Sequence, residues 1–131
     1  MSYLKSFFAG FFSTIIFHQG LLALLHFVNI SPRAAYSMSP TEPFGLPSFV
    51  SGALFGGLWG ILIWKFISGI PRKSQIIRSV VFGAIGPTLV AFTIVMPLKG
   101  IEFKLGYIPF GLLLNGFWGL GLWVLMQVRI K

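Results

Sequence analysis

The chain has 131 residues, 56% of them hydrophobic and only 9% charged, with a net charge of +8. A water-soluble domain carries about 25% charged residues, so a chain this apolar cannot cover a globular surface with polar groups, and lipid is its expected solvent. Its ten cations are scattered between apolar runs, not gathered into the basic face that phosphates require, which argues against nucleic acid as a partner. The lack of cysteine excludes a disulfide framework, a thiolate metal site and a thiol nucleophile.

A helix needs about 20 mostly apolar residues to cross the hydrocarbon core. The first such stretch covers residues 4–28, with Lys5 at its start and the Ser31-Pro32-Arg33 turn after its end. It is too long for the apolar region of a secretory signal, and no small-residue cleavage site follows, so it is expected to be a retained span. It carries Ser13, Thr14, His18, Gln19 and His26. At 100° per residue, Thr14 falls about 40° from His18 and Asn29 about 20° from it, forming one polar stripe, with Gln19 and His26 on its flank. His18 stands roughly 20 Å above Lys5 along the helix axis, in the far half of the membrane.

Residues 29–46 follow, a long connection for a bundle of short spans. Three prolines and the side chains of Tyr36, Met38 and Phe44 are poor material for a disordered linker. They predict an ordered cap on the membrane surface, with Arg33, Tyr36 and Glu42 as its candidate functional residues. Such a cap seals the end of the bundle or offers a docking surface or substrate lip.

The second span covers residues 47–67 and ends before Pro71-Arg72-Lys73. The third covers 76–96 and contains Gly86-Pro87 beside Thr88. Pro87 has no N–H, which leaves the carbonyl of Gly83 free as an acceptor. The fourth span covers 108–128 and ends at Arg129 and Lys131. The predicted fold is all-α: a polytopic membrane protein whose single transmembrane domain, residues 1–131, is a four-helix bundle.

Basic residues favour the cytoplasmic side. With the N-terminus inside, that side holds Lys5, Lys65, Arg72, Lys73, Arg78, Arg129 and Lys131, against Arg33, Lys99 and Lys104 outside. Both acids, Glu42 and Glu102, then also fall outside. Both termini are therefore expected in the cytoplasm, with Tyr3, Trp64 and Trp123 at the inner interface and Tyr36 and Tyr107 at the outer one, as an aromatic belt.

Residues 52–64 and 111–123 align without gaps at Gly52/Gly111, Leu54/Leu113, Gly57/Gly116, Trp59/Trp118, Gly60/Gly119 and Trp64/Trp123. Apolar composition alone does not produce matched tryptophans. The alignment implies a weak two-fold internal repeat of spans one-two and three-four, although spans one and three match less clearly. Gly52, Gly56 and Gly60 recur every fourth residue on one face, and Gly111 and Gly119 occupy corresponding places. Small residues at that spacing let backbones approach where lipid supplies no hydrophobic drive between helices. They pack the four spans together, or form a contact with a second copy or a larger partner.

Asn115 stands where Gly56 stands in the second span. Its amide needs a partner in hydrocarbon. Asn115 lies roughly 10 Å below the outer boundary, close to the depth of His18. The expected constellation is a polar cluster of Thr14, His18, Gln19, Thr88 and Asn115, in which His18 or Gln19 hydrogen-bonds Asn115. Such groups are functional candidates or interhelical ties.

The residue pattern limits function. Cation-coupled carriers usually hold a carboxylate in the membrane, and both acids here lie in loops. His18 and His26 share one helix about 12 Å apart along the axis and cannot clamp one haem in a monomer. No nucleophile–base pair or nucleotide-binding glycine loop is evident. No enzymatic activity, cofactor or metal is expected. Segments Phe-His-Gln-Gly at 17–20, Pro-Arg-Ala-Ala-Tyr at 32–36 and Gly-Gly-Leu-Trp-Gly at 56–60 resemble those of small, uncharacterised bacterial four-span membrane proteins. The resemblance covers the first half of the chain and implies a bacterial inner-membrane setting without bringing an activity. The expected role is an accessory or structural membrane protein, self-associating or bound to a larger membrane complex. The alternative is a small oligomeric transporter or channel with His18, Gln19 and Asn115 along its path.

Overall fold

The computed structural model describes residues 3–41, 44–98, 100, 102 and 104–128. Glu42, Lys99, Arg129 and Lys131 lie outside the described residues. Four helices are long and apolar enough to cross a membrane: α1 (Tyr3–Phe27), α2 (Ser48–Ile67), α3 (Arg72–Leu98) and α4 (Tyr107–Met126). A two-residue antiparallel pairing of β1 (Pro40–Thr41) with β2 (Leu46–Pro47) interrupts the long connection between α1 and α2. Large side chains such as Phe66 and Ile77 face outward, 68% and 64% exposed. Water would penalise that arrangement and lipid does not. The protein is an all-α, four-span membrane bundle.

The helix ends follow hydrogen bonding rather than hydropathy. α3 starts at Arg72, not at residue 76, because Pro71 (φ −57°, ψ 146°) sets the entry and Gln75 Nε2 donates to the carbonyls of Ile67 and Ser68, each at 3.1 Å. The polar first turn of α3 is thus helix that lies outside the apolar run. α3 also continues through Pro97 to Leu98.

Two helices contain a widened π turn. In α1 it spans Thr14–His18, and the Gln19 N–H donates to the carbonyls of Thr14 and Ile16. In α3 it spans Ala91–Val95, shortly after Pro87. Proline removes one donor and pushes away the carbonyl a turn earlier, and neighbouring turns widen to absorb the disturbance.

Glycines set the helix crossings. A Cβ on Gly10 of α1 would collide with the Gly56 carbonyl of α2, and one on Gly60 would collide with the Ser6 carbonyl of α1. Across α3 and α4, a Cβ on Gly83 would come within 2.9 Å of the Asn115 carbonyl, and one on Gly119 would collide with the Ser79 carbonyl. Ser79 Oγ also donates to the Gly119 carbonyl at 2.6 Å. Gly111 meets Phe92 and Thr88 of α3. Gly52 differs from the packing role expected for it: a Cβ there would touch only Thr14 Cγ2, at 3.9 Å.

The two helix pairs join through α1 and α4. Trp118 Nε1 donates to the Gly10 carbonyl at 2.9 Å, and Ser13 Oγ donates to the Trp118 carbonyl at 2.6 Å. Around this contact, Ala9, Ile63, Trp64, Ile67, Trp118, Leu122 and Met126 form a core in the half nearer the termini. Trp64 is therefore a core residue, 8% exposed, and not part of an interfacial belt. Its ring is covered by neighbouring helices, which a reading of one helix at a time does not register.

The described part of the long connection folds against α1 and α2. Tyr36 O–H donates to the Ile15 carbonyl at 2.7 Å, and Tyr36 N–H donates to Gln19 Oε1 at 2.8 Å. A regular helix would pair Ile15 C=O with the Gln19 N–H, which the widened turn redirects. Tyr36 holds a left-handed backbone (φ +55°) to make these contacts, and its ring packs edge-on to Phe49 of α2, with centroids 5.9 Å apart.

These crossings predict a position-specific response to one methyl group. Gly60→Ala should destabilise the detergent-solubilised protein by about 1–3 kcal/mol, the usual cost of overpacking. Gly20→Ala adds the same methyl where no atom lies within 4 Å and should be neutral or mildly stabilising. Equal effects in denaturant titrations would show that the α1–α2 crossing is not this close.

Candidate functional site

A cavity of about 510 Å³ lies in the half of the bundle beneath the cap, within the size range of small-molecule sites. All four helices build it. α1 supplies Thr14, His18, Gln19 and Leu22, and the cap supplies Ser31 and Arg33. α2 contributes Gly52, Phe55, Gly56 and Trp59; α3 contributes Thr88, Phe92, Val95 and Met96; α4 contributes Phe110, Leu114, Asn115 and Trp118. Lys104, in the turn before α4, completes the mouth. Thr14, His18, Gln19, Thr88 and Asn115 thus surround one space, with Arg33 above them. Tyr36 is not in the wall; it ties the cap to α1 through Gln19 and Ile15.

The widened turns shape this space. In a regular α1, Gln19 would sit about 140° around the axis from Thr14. The Thr14–His18 turn underwinds the helix, and Gln19 is 8% exposed and on the cavity side with Thr14. Ala91, Phe92 and Val95 of the second widened turn line the opposite wall. π turns are frequent where a helix must offer side chains to a functional site.

The polar groups pair in a pattern that depth alone did not reveal. Asn115 Nδ2 donates to Thr88 Oγ1 at 2.8 Å. Gln19 Nε2 donates to His18 Nδ1 at 3.0 Å. Because the Tyr36 N–H occupies Gln19 Oε1, the amide orientation is fixed, and the His18 proton belongs on Nε2. The expected bond from His18 or Gln19 to Asn115 does not form. α3 crosses α4 closely and brings Thr88 to Asn115, whereas the cavity separates α1 from Asn115. Thr14 Oγ1 turns back to the Gly10 carbonyl at 3.1 Å.

Among the described residues the wall carries two cations, Arg33 and Lys104, and no carboxylate. Neither cation forms an ion pair with a described residue, and Glu102 is exposed outside the wall. Lys104 had weight in the sequence only as a topological charge. Trp118 had weight only as part of a repeated motif, yet it forms the floor. Below it the core around Ile63, Ile67 and Leu122 fills the bundle, so the cavity has a mouth at the cap end and is closed at the other.

No family model matches the chain, and no solved structure matches it. NADH-quinone oxidoreductase subunit N of Cupriavidus taiwanensis is 32% identical to it over 101 residues, covering 76% of this chain and 20% of that protein. The chain spans about a fifth of that relative's length. Identity between apolar helices draws on residue types that every span needs, so the likeness speaks first for a membrane setting.

The pairing pattern predicts which side chains are energetically coupled. In a double-mutant cycle in detergent, Thr88→Val and Asn115→Leu should couple by about 0.6–1.7 kcal/mol, the range of interhelical hydrogen bonds in membranes. His18→Leu and Asn115→Leu should be additive. Coupling confined to the second pair would contradict the observed pattern.

Proposed function

We propose that this chain is a non-enzymatic accessory subunit of a larger bacterial inner-membrane complex. The likeness to a subunit of NADH-quinone oxidoreductase, of which the chain spans about a fifth, carries this reading. A complex of that kind is the first partner to seek. The geometry supports binding over conduction: the cavity ends at Trp118 above a filled core, and the acids lie outside the described spans. A proton-coupled path normally needs a carboxylate in the membrane.

Two finer features belong to the same reading. The excess of basic residues at the end opposite the cap supports cytoplasmic termini. The contacts of Gly10 with Gly56 and of Ser6 with Gly60 have counterparts in Gly83 with Asn115 and Ser79 with Gly119. That correspondence supports two copies of a helix pair related by an axis along the membrane normal.

Affinity-tagged chain, extracted from its native host in mild detergent, tests the subunit role. The reading expects it to migrate on native gels far above its own 14.5 kDa, at fixed stoichiometry with other membrane proteins. Migration as an isolated chain, together with ion flux in liposomes that His18→Ala abolishes, would replace it with an oligomeric transporter or channel. Because the chain lacks cysteine, topology is directly testable. An impermeant maleimide should label Ser39→Cys on intact cells and Ser68→Cys only after permeabilisation; the reverse would invert the orientation.

A further inference from the structure

The cavity has a polarity gradient that its place in a subunit does not require. At the floor and middle, the polar groups largely satisfy one another: Asn115 with Thr88, Gln19 with His18, Thr14 and Trp118 with the Gly10 carbonyl. At the mouth, Arg33 and Lys104 face no acid among the described wall residues, and neither side chain forms an ion pair with a described residue. Between mouth and floor the wall is apolar: Leu22, Phe55, Trp59, Phe92, Val95 and Leu114. A ligand that matches all three levels has an anionic head and an apolar body.

The α2 and α3 side of the cavity is apolar and less tightly packed. Trp59 of α2 packs on Gly86 of α3, within 3.0–3.2 Å of a Cβ built there. Above that point α2 no longer packs closely against the Ala91–Leu98 end of α3. Phe55 from one helix and Phe92 and Val95 from the other line the cavity at this level. α1 and α4, by contrast, are held together by the Trp118 contacts and by Phe17 against Phe117, with ring centroids 5.3 Å apart. An acyl chain lying at this level between α2 and α3 would meet apolar side chains, while its head stays at the membrane surface under the cap.

We propose that this cavity is a binding site for a phospholipid of net negative charge, its phosphate held by Arg33 and Lys104 and one acyl chain lying between α2 and α3 toward Trp59. The headgroup chemistry is that of a phosphate anion, which a free phosphate shares; the apolar walls select the lipid. Two cations with no described acid in the wall beside them favour a headgroup that carries no compensating ammonium. Gly52 keeps the wall open, since a Cβ there touches only Thr14, and a larger side chain would occupy the acyl path. The inference concerns the cavity alone and stands whether or not the chain joins a larger complex.

Native mass spectrometry of the full chain, delipidated in a non-ionic detergent, tests it with three probes: phosphatidylglycerol, phosphatidylcholine and inorganic phosphate. One phosphatidylglycerol should be retained per chain, with phosphatidylcholine held far more weakly. Removing the cations in the Arg33→Gln/Lys104→Gln double variant should weaken retention about tenfold or more, the consequence of losing charge-assisted hydrogen bonds. Gly52→Leu should abolish retention while leaving both cations in place. Equal retention of the two lipids would overturn the proposal. So would displacement of the lipid by inorganic phosphate, or retention unchanged in a folded Gly52→Leu variant, which would place the lipid on the outer surface. Should Gly52→Leu fail to give a folded protein, the charge variant, whose two positions are exposed, decides the matter by itself. Partner capture is a separate readout, so loss of lipid binding leaves the subunit role standing and the converse.

Discussion

Trp118 joins the two helix pairs, with its side chain near Gly10, Gly56 and Gly83 of the other three spans. Its indole N–H reaches the Gly10 carbonyl and its own carbonyl receives Ser13 Oγ. Lipid offers no hydrophobic reason for one helix pair to prefer the other over acyl chains. The junction therefore depends on close packing and on hydrogen bonds that have no competing water. Gly10 lacks a side chain that would shield its carbonyl, and the same oxygen also accepts from Thr14. Gly56 must be glycine because Thr14 Oγ1 and the Gly10 carbonyl occupy the space its Cβ would need. One carbonyl thus organises α1, α2 and α4 together.

The rest of the architecture follows from that junction. Toward the termini, small residues at the crossings close the bundle around Ile67 and Leu122, both fully buried. Toward the cap, α1 and α3 each carry a widened turn, and the spans no longer meet across the centre. The cavity is the space between a tight lower half and a looser upper half. The cap then has something specific to hold: the Ile15 carbonyl, released by the widened turn, receives Tyr36. Helix irregularity, cavity and cap are one arrangement.

Much of this was legible in the sequence because a bilayer imposes simple demands. Unbroken apolar runs gave the four spans to within a few residues, the exceptions being at α3, where polar helix extends beyond the apolar run. His18 and Asn115 could be placed at a similar depth from helical rise alone, and with Thr14, Gln19 and Thr88 they line one cavity. Their partners could not. Fixed angular arithmetic fails once Thr14–His18 underwinds, which is why Gln19 lines the cavity instead of a flank. Asn115 bonds Thr88 because α3 crosses α4 closely, a tertiary fact with no local signal. Trp64 shows the same limit: a tryptophan near a helix end reads as an interfacial anchor until another helix covers it. Lys104 entered only as a charge on one side of the membrane, since nothing in a loop sequence tells which cavity it will overlook.

The space among the helices is closed at Trp118 and does not continue through the filled core below it. Cysteine accessibility tests this closure most directly in this naturally cysteine-free chain. Leu122 lies in the core beyond the floor. In proteoliposomes, a small water-soluble thiol reagent should modify the exposed Ser39→Cys from the cap side and leave Leu122→Cys unreacted from either side. Rapid modification of Leu122→Cys in a folded protein would reveal a continuous aqueous path and contradict the closed floor.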